Sequence, residues 1–579
     1  MGAFEVHLVK PTRYDEEGYP VQWFRSFIPS NSLACVAALV EDARARGVLG
    51  ADVDVRSTAA DETNTPVFPE AIIARHKTRD VRVFVMLVGV QTNQFPRAID
   101  IARPLRAAGV PVCIGGFHVS GCVAMLGPEA EELAPARELG VSMFAGEAEE
   151  GRLDEVLRDG FNDRLKPLYN YMDALPALSG APPPMLSREV VQRIHQCWSS
   201  FDLGRGCPFE CSFCTIINVQ GRKSRFRDVD DLERLVRGSH EKGLWRFFVT
   251  DDNLARNRNW EAYADRLILL REKEGIKVKL MIQVDTLAHR IPNFIDKMYR
   301  AGAHIIFIGL ESVNSDNLES VKKRQNRIEE YREMILAWKR LGVVVICGYI
   351  VGFPNDTKAS ILRDIETIKH ELPIDLINVN CLTPLPGSED HKKLRAAGTW
   401  MDPDFNKYDL NHRVTHHQAM SDREWDEALK EATRRFFTHE HMARVFNRMM
   451  QMRTNQPFTT LQMMMTYRQG PLVDGVGPSE FGIGRIVRRR QRRHGMPLEN
   501  PLIFYPRIAA RSLYKLVYHG WTYGRLRISL AQARARHRKG TPYADAAIAA
   551  PSTGADNLVL ATEARSTPAS RRRQQARRA

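Results

Sequence analysis

The chain has 579 residues and a net charge of +14 at neutral pH, with 44% apolar and 26% charged side chains, a length that exceeds one ordinary core and provides for about three or four domains. Its nine cysteines mostly stand among apolar or helical residues, which excludes a disulfide framework and predicts a reducing, cytoplasmic setting. Neither a basic start followed by a long apolar run nor a stretch of about 18 uncharged apolar residues is found, so export and membrane spanning are not expected.

The charge is unevenly placed. Arg485 to Ala579 hold 21 Lys and Arg against 4 Asp and Glu, or +17, so the remainder sums to −3. Basicity belongs to the C-terminal end, and the rest is nearly neutral.

Residues 1–160 read as a Rossmann-like parallel sheet. Short apolar runs at Glu5–Val9, Val53–Arg56, Val81–Val88, Val110–Ile114 and Val141–Ala145 are predicted strands. Helical stretches such as Leu33–Arg46 and Phe95–Ala108 are long enough to be crossovers. Three predicted strand ends carry glycine and polar residues: Gly89 with Gln91, Gly115 and Gly116 with His118, and Gly146 with Glu147. Glycines there let a flat ligand or a phosphate approach the backbone, although plain turns have the same composition.

Residues 161–192, which include Pro182-Pro183-Pro184, are predicted to be a linker. From 193 to 395 strand and helix signals alternate. Strands are expected at Arg246–Thr250, Val278–Ile282, Ile305–Ile308, Val343–Tyr349 and Leu376–Asn380, with helices between them. That rhythm is a parallel barrel or part of one, whose chemistry belongs at the C-terminal strand ends.

At the start of this region Cys207, Cys211 and Cys214 stand in Gly-Arg-Gly-Cys-Pro-Phe-Glu-Cys-Ser-Phe-Cys. Three thiolates so spaced can hold a four-iron cluster and leave one iron free to chelate a small molecule. A zinc knot would need a fourth ligand, and the nearest candidates, His195 and Cys197, lie well outside the triplet. Arg222, Lys223, Arg225 and Arg227 can offset cluster charge or simply be solvated. Thr250-Asp251-Asp252-Asn253, Gln283-Val284-Asp285 and Gly309-Leu310-Glu311-Ser312 put carboxylates and amides at the expected barrel mouth.

Residues 396–540 read as mostly helical and basic. Ser421 and Glu424 have capping-box spacing for an amphipathic helix to about Phe437, either a lid or an outer support. Basic and aromatic residues interleave from Arg485 to Arg525, a pattern suited to an anionic membrane surface, to nucleic acid, or to a solvated helix. The first is preferred because Leu502–Tyr505 adjoins the charges and no nucleic-acid module is present. Methionine runs at 449–452 and 463–465 suit an adaptable apolar pocket or ordinary core. Residues 541–579 are expected to be disordered.

The Cys207-x-x-x-Cys211-x-x-Cys214 spacing resembles the hallmark of the radical S-adenosylmethionine superfamily. Thr250–Asn253, Ile308–Ser312, Lys323–Asn326, Gly352–Pro354 and Thr383–Ser388 resemble companion motifs of its branch with an N-terminal cobalamin-binding domain. The resemblance implies an α/β fold in which a Rossmann-like domain precedes a partial (β/α)6 barrel and a helical C-terminal region. It implies a 4Fe-4S cluster on the three cysteines, S-adenosylmethionine on the open iron, and cobalamin in the first domain.

Asp252, Gln283 and Glu311 would surround S-adenosylmethionine, and the backbone of Tyr349, Ile350 and Val351 would face its adenine. Gly89, Gln91, Gly115, Gly116 and His118 would face cobalamin. No Asp-x-His-x-x-Gly motif is present, so a histidine cobalt ligand supplied by that motif is excluded. The implied reaction is methyl transfer to an unactivated carbon, here expected on a large, apolar substrate that is a small molecule or lipid-like, with an electron donor such as flavodoxin or ferredoxin. Oxidative cyclisation or rearrangement on the same architecture remains open, as does a noncatalytic cluster protein that binds RNA or membrane. The expected location is cytoplasmic, with peripheral contact at the inner membrane surface.

Overall fold

The computed structural model describes residues 3–78 and 80–549. In the N-terminal part, β-branched runs form a six-stranded, wholly parallel sheet whose strands, in spatial order, begin at residues 54, 3, 81, 112, 142 and 168. Helices Asn31–Ala45 and Arg152–Phe161 bury Leu33, Val40, Val156 and Leu157 against one face. Helices Pro69–His76, Phe95–Ala107 and Phe117–Leu126 cover the other with Ile72, Phe95, Ile99 and Val119. Strand order reverses between Ala3–Lys10 and Val81–Leu87, the switch point at which such sheets open a crevice.

The second sheet is also parallel and six-stranded, running in chain order from Trp198–Phe201 through strands that begin at 246, 279, 303 and 344 to Leu376–Cys381. Helices between its strands complete the expected partial (β/α)6 barrel. Strand Val344–Val351 is buried along its whole length, as a strand covered on both faces must be.

The capping box forms as predicted: Ser421 Oγ accepts from Glu424 N at 3.3 Å, and Ser421 N donates to Glu424 Oε2 at 2.9 Å. The helix it starts, Asp422–Phe436, joins the barrel's core through Trp425, Ala428, Ala432 and Phe436. A Cβ on Gly352 would come within 2.2 Å of the Trp425 ring. This helix is therefore an outer support packed on the last strands, which covers a sheet edge.

Three segments differ from their sequence-based expectation. The region read as a linker, 161–192, contributes the edge strand Leu168–Asn170 of the first sheet. Gln22–Ser26 pairs antiparallel with Gly482–Ile486 and ties the N-terminal domain to the C-terminal region. At the start of the expected disordered tail, Asp545 receives two hydrogen bonds from buried Arg448, at 2.8 and 2.9 Å. The rest of that tail, 550–579, lies outside the described residues.

Candidate active site

The cysteine loop is built by close backbone approach. Gly204–Arg205 pairs antiparallel with Arg225–Phe226, and a Cβ on Gly204 would stand 2.5 Å from Arg225 O. Gly206, at φ +93°, leaves no room either, since a Cβ would lie 2.5 Å from Lys223 O. These glycines turn the chain so that Cys207 N donates to Gly221 O at 3.2 Å and Cys214 N to Cys211 O at 3.1 Å. Burial raises the Cys207 thiol and pushes that of Cys214 up to about 12, each also opposed by the charge of Cys211. The three thiols thus share one short loop, where a bound metal would drive off their protons.

Among the described residues no three His, Cys, Asp or Glu side chains converge on a single metal ion, and all nine cysteines are free. Soft sulfur donors on one loop suit a polynuclear cluster, in which each thiolate binds a different iron, whereas a mononuclear zinc site would need a fourth protein ligand.

Around that space stand groups that the sequence reading did not assign. Gln325 Nε2 points at Cys211 Sγ from 3.6 Å. Lys323 Nζ donates to Glu311 Oε1 at 2.5 Å. Burial works against the lysine's charge, yet Glu311 and the sulfurs of Cys211 and Cys214 hold its pKa above the ordinary value. Glu311 is placed by an irregularity: its φ is +63°, in the left-handed region, where the strand register shifts. Asn326 braces this bend by donating to Gly309 O at 3.0 Å and Leu310 O at 2.8 Å. Strain held in place by its surroundings is common at ligand sites.

Asp251 accepts from Leu203 N at 2.6 Å and fixes the strand leading into the cysteine loop. Asp252, next to it, is half-buried. Burial pushes both carboxyls up to about 7, and for Asp252 the charge of Asp251 adds to the effect. Gln283 Nε2 reaches Asp251 O at 3.4 Å. Gln283 therefore lies beside the strand end that carries Asp251 and Asp252, while Glu311 stands with Lys323 at the end of a neighbouring strand. The adenine candidates separate: Tyr349 is turned into the core, with its hydroxyl 3.0 Å from Asp364 Oδ2, and Val351 O accepts from Leu382 N at 2.9 Å. Ile350 packs with Val321 and Phe353 beside Phe213 of the cysteine loop.

The crevice of the first sheet faces this loop. Gly89, Gly115, Gly116 and Gly146 from the strand ends, Ser120 from the helix that follows Gly116, and Arg205, Val219 and Gln220 from the cysteine segment line one cavity of about 160 Å³. Glycine backbone and apolar carbon make one part of its wall and the polar groups of Asn31, Glu147, Glu149, Arg205 and Gln220 another, with no imidazole among the described residues that line it. Such a surface can receive a flat macrocycle without a protein ligand beneath it. Gly116 has a further need for glycine: at φ +145°, its Cβ would stand 2.2 Å from Val90 N.

Two of the proposed cobalamin contacts are not on this cavity. His118 is fully buried, with ring centroids 4.2 Å from Phe95 and 5.1 Å from Phe405. Burial drops its pKa to about 3, so it is a neutral core residue. Gln91 is exposed, and its N donates to Gln94 Oε1 at 3.1 Å to cap the following turn. Polar side chains after a strand serve caps as readily as ligands.

Arg205 joins the two regions. It donates to Asp202 Oδ2 at 2.8 Å, Glu147 Oε2 at 2.7 Å and Glu149 Oε1 at 2.7 Å, all within a buried cluster. Despite burial, these cations hold Asp202 and Glu149 below the ordinary carboxylate range. Arg225 also pairs with Glu147, and Arg227 with Asp202, so both are committed to structure rather than free to offset cluster charge. On the other side of the loop, helix Phe117–Leu126 meets the barrel at Gly121. A Cβ there would lie 2.6 Å from Pro386 O, and one on Gly387 would lie 2.7 Å from Gly121 Cα.

A second cavity, of about 270 Å³, occupies the barrel interior below Gln283. Trp198, Phe248, Met281 and Phe307 line it from the strands, and Met463 and Tyr467 from helix Pro457–Gln469. Met449 and Met464 are fully packed core, so the methionine runs divide between the two roles. A Cβ on Gly348 would be 3.1 Å from Phe307 Cζ and 3.3 Å from Glu311 Oε2, which places the upper wall of this cavity against the barrel mouth.

Residues 202–368 match the radical SAM superfamily domain. A bacteriochlorophyllide d C-8(2)-methyltransferase of Chlorobaculum tepidum is 28% identical over 350 residues, 57% of this chain and 72% of that protein. A hopanoid C-2 methylase of Rhodopseudomonas palustris is 23% identical over 410 residues, 68% of this chain and 70% of its own length. Among solved structures, the cobalamin-dependent S-adenosylmethionine radical enzyme OxsB shares the fold at a TM-score of 0.50 and 13% identity, covering 94% of this chain and 82% of its own. The radical S-adenosylmethionine methyltransferase TsrM of Kitasatospora setae also aligns at 0.50, with 14% identity over 69% of this chain and 77% of that one. Residues 202–368 thus form a domain of the radical S-adenosylmethionine superfamily, and the chain around it shares the fold of OxsB, with a Rossmann-like sheet ahead of the barrel.

Proposed function

We propose that this protein is a cobalamin-dependent radical S-adenosylmethionine methyltransferase that methylates an unactivated carbon of an apolar substrate. The observation that carries the reading is the switch-point cavity, walled on one side by sheet-end glycines and on the other by the segment bearing the cysteines. When bound, the cluster and S-adenosylmethionine would supply radical chemistry, and cobalamin the methyl group.

Cys207, Cys211 and Cys214 would hold the cluster, and Gln325 would donate a hydrogen bond to one of its thiolates. Asp252, Gln283 and Glu311 would orient the amino acid and ribose groups of S-adenosylmethionine, with Ile350 against its adenine. Gly89, Gly115 and Gly116 would let a macrocycle approach the sheet end. Lys323 would hold the Glu311 side chain in place through its hydrogen bond to Oε1. The apolar barrel cavity would exclude water from the reacting carbon.

The relatives named for methylation of bacteriochlorophyllide and hopanoid substrates support both the reaction class and an apolar substrate. A small electron donor such as flavodoxin or ferredoxin would reduce the cluster.

The test needs no substrate. Anaerobically reconstituted protein given hydroxocobalamin, a chemical reductant and S-adenosylmethionine deuterated at its methyl group should yield 5'-deoxyadenosine, S-adenosylhomocysteine and deuterated methylcobalamin. Formation of 5'-deoxyadenosine with no cobalt retained would move the reading to cyclisation or rearrangement. Absence of all three products would overturn it.

A further inference from the structure

The last long helix, Pro501–Arg538, is amphipathic in the wrong sense for a soluble surface. At 38 residues it is about 57 Å long. Over its first half the cations point inward: Arg507 and Arg511 reach Glu17 at 2.6 and 3.0 Å, and Lys515 reaches Asp474 at 2.5 Å. The side turned to solvent is apolar. Leu502 is 83% exposed, Leu516 70%, Val517 63% and Leu513 62%, with Tyr514 and Trp521 beside them. By helical periodicity these side chains share one broad face.

Along the same outward face the second half turns basic. Arg527, Arg534, Arg538 and Lys539 are exposed, and none of them pairs with a carboxylate among the described residues. No Asp or Glu occurs between Glu499 and Asp545. An apolar, aromatic-bearing strip that continues into unpaired cations, with no acidic residue along it, is complementary to an anionic lipid surface. No helix of the described residues is long and apolar enough to cross a membrane, so the contact would lie in the plane of the interface.

The barrel cavity adjoins this surface. Its outer wall comprises Phe27–Pro29, Thr459–Tyr467 and Pro478–Ser479. Exposed Phe24, Phe458 and Ile483 stand on or beside those same segments. Arg527 of the long helix lies over the Phe458 ring at 5.6 Å, and Arg468 Nη1 donates to Tyr518 OH at 2.9 Å.

We infer that the outward face of Pro501–Arg538 docks on an anionic lipid bilayer, so that the barrel cavity takes an apolar substrate from the membrane side. The substrate part rests on the reading of the enzyme given above. The docking part stands on the helix alone.

Flotation of full-length, anaerobically reconstituted protein with vesicles of phosphatidylcholine, with and without phosphatidylglycerol, tests it. The protein should float with the anionic vesicles, and Leu513→Glu with Leu516→Glu should lower the bound fraction at least about tenfold. Leu269→Glu, exposed on the barrel's outer side, should bind as the parent does. Arg534→Gln with Arg538→Gln should weaken binding to the anionic vesicles alone. Circular dichroism melting checks that each variant is folded.

Equal flotation of the double leucine variant, or none by the parent, overturns the inference. So does a parent dimer that dissociates in that variant without flotation, since a second copy would then cover the face. Cleavage of S-adenosylmethionine is measured on the same preparations. Cleavage without flotation removes the docking alone, whereas flotation without cleavage removes the enzymatic reading alone.

Discussion

Arg205 Nη1 stands 2.7 Å from Glu147 Oε2, so the residue two places before Cys207, the first cysteine of the triplet, is held by the strand-end loop of the other domain. One buried guanidinium thus ties the cysteine loop to the wall of the switch-point cavity, beside the Arg225–Glu147 pair.

Replacing Arg205 with Ala would leave Asp202, Glu147 and Glu149 buried with reduced compensation. A loss of about 3–5 kcal/mol is expected, because uncompensated buried charge is costly. Arg205→Lys should recover only part of it, since one ammonium cannot reproduce a forked set of contacts. Urea unfolding of the cofactor-free protein measures both. Folded-state carboxyls held below their usual range stabilise above the unfolded pKa and lose that contribution as pH falls through the folded value. The acid-dependent part of the parent's stability, below about pH 4, should therefore shrink in Arg205→Ala.

The carboxyls of Asp251 and Asp252 carry the opposite sign. Their folded pKa is raised to about 7, so the native state binds more protons than the unfolded chain between about pH 4 and 7, and stability falls across that window as pH rises. Asp252→Asn should flatten the decline. Unfolding of the cofactor-free protein at pH 5 and pH 8 should show the variant gaining relative to the parent at the higher pH, on the order of 2 kcal/mol. An equal difference at both pH values would count against it.

Substituting any one of Cys207, Cys211 and Cys214 with Ser should reduce iron content and bring 5'-deoxyadenosine formation to background, because a hard hydroxyl is a poor partner for iron in a sulfide cluster. Cys113→Ser, in a core strand of the first domain, should keep both. Iron analysis and product chromatography separate the two classes.

Gln325→Leu keeps the side-chain volume but removes the amide directed at Cys211. Hydrogen bonds to cluster sulfur raise the reduction potential. The variant should retain its iron and shift the potential to more negative values, as measured by a redox titration followed by electron paramagnetic resonance. An unchanged potential would assign Gln325 to packing alone.

Strands rich in Val, Ile and Phe were legible because burial on both faces gives continuous apolar runs. The barrel's first strand, Trp198–Phe201, was not, since Ser199 and Ser200 interrupt the pattern. The pairing of Gln22–Ser26 with Gly482–Ile486 has no local signature at all. At the site, cysteine spacing carried chemical meaning by itself, and Asp252, Gln283 and Glu311 were singled out by their position at strand ends. His118 and Gln91 had the same kind of position, but one is a core residue and the other a cap. The role of Arg205 was hidden because Glu147 and Glu149 are far away in sequence. Two acidic residues on a strand-end loop and an arginine between glycines were its only signals.

At Gly121 and Gly387 the two domains touch main chain to main chain, with no side chain to act as padding. Shape there must match to a fraction of a bond length, so the first domain is not an exchangeable module. A chimera that grafts this domain onto a related barrel would need to import the Thr383–Ser388 loop with it, or begin with a collision at the seam.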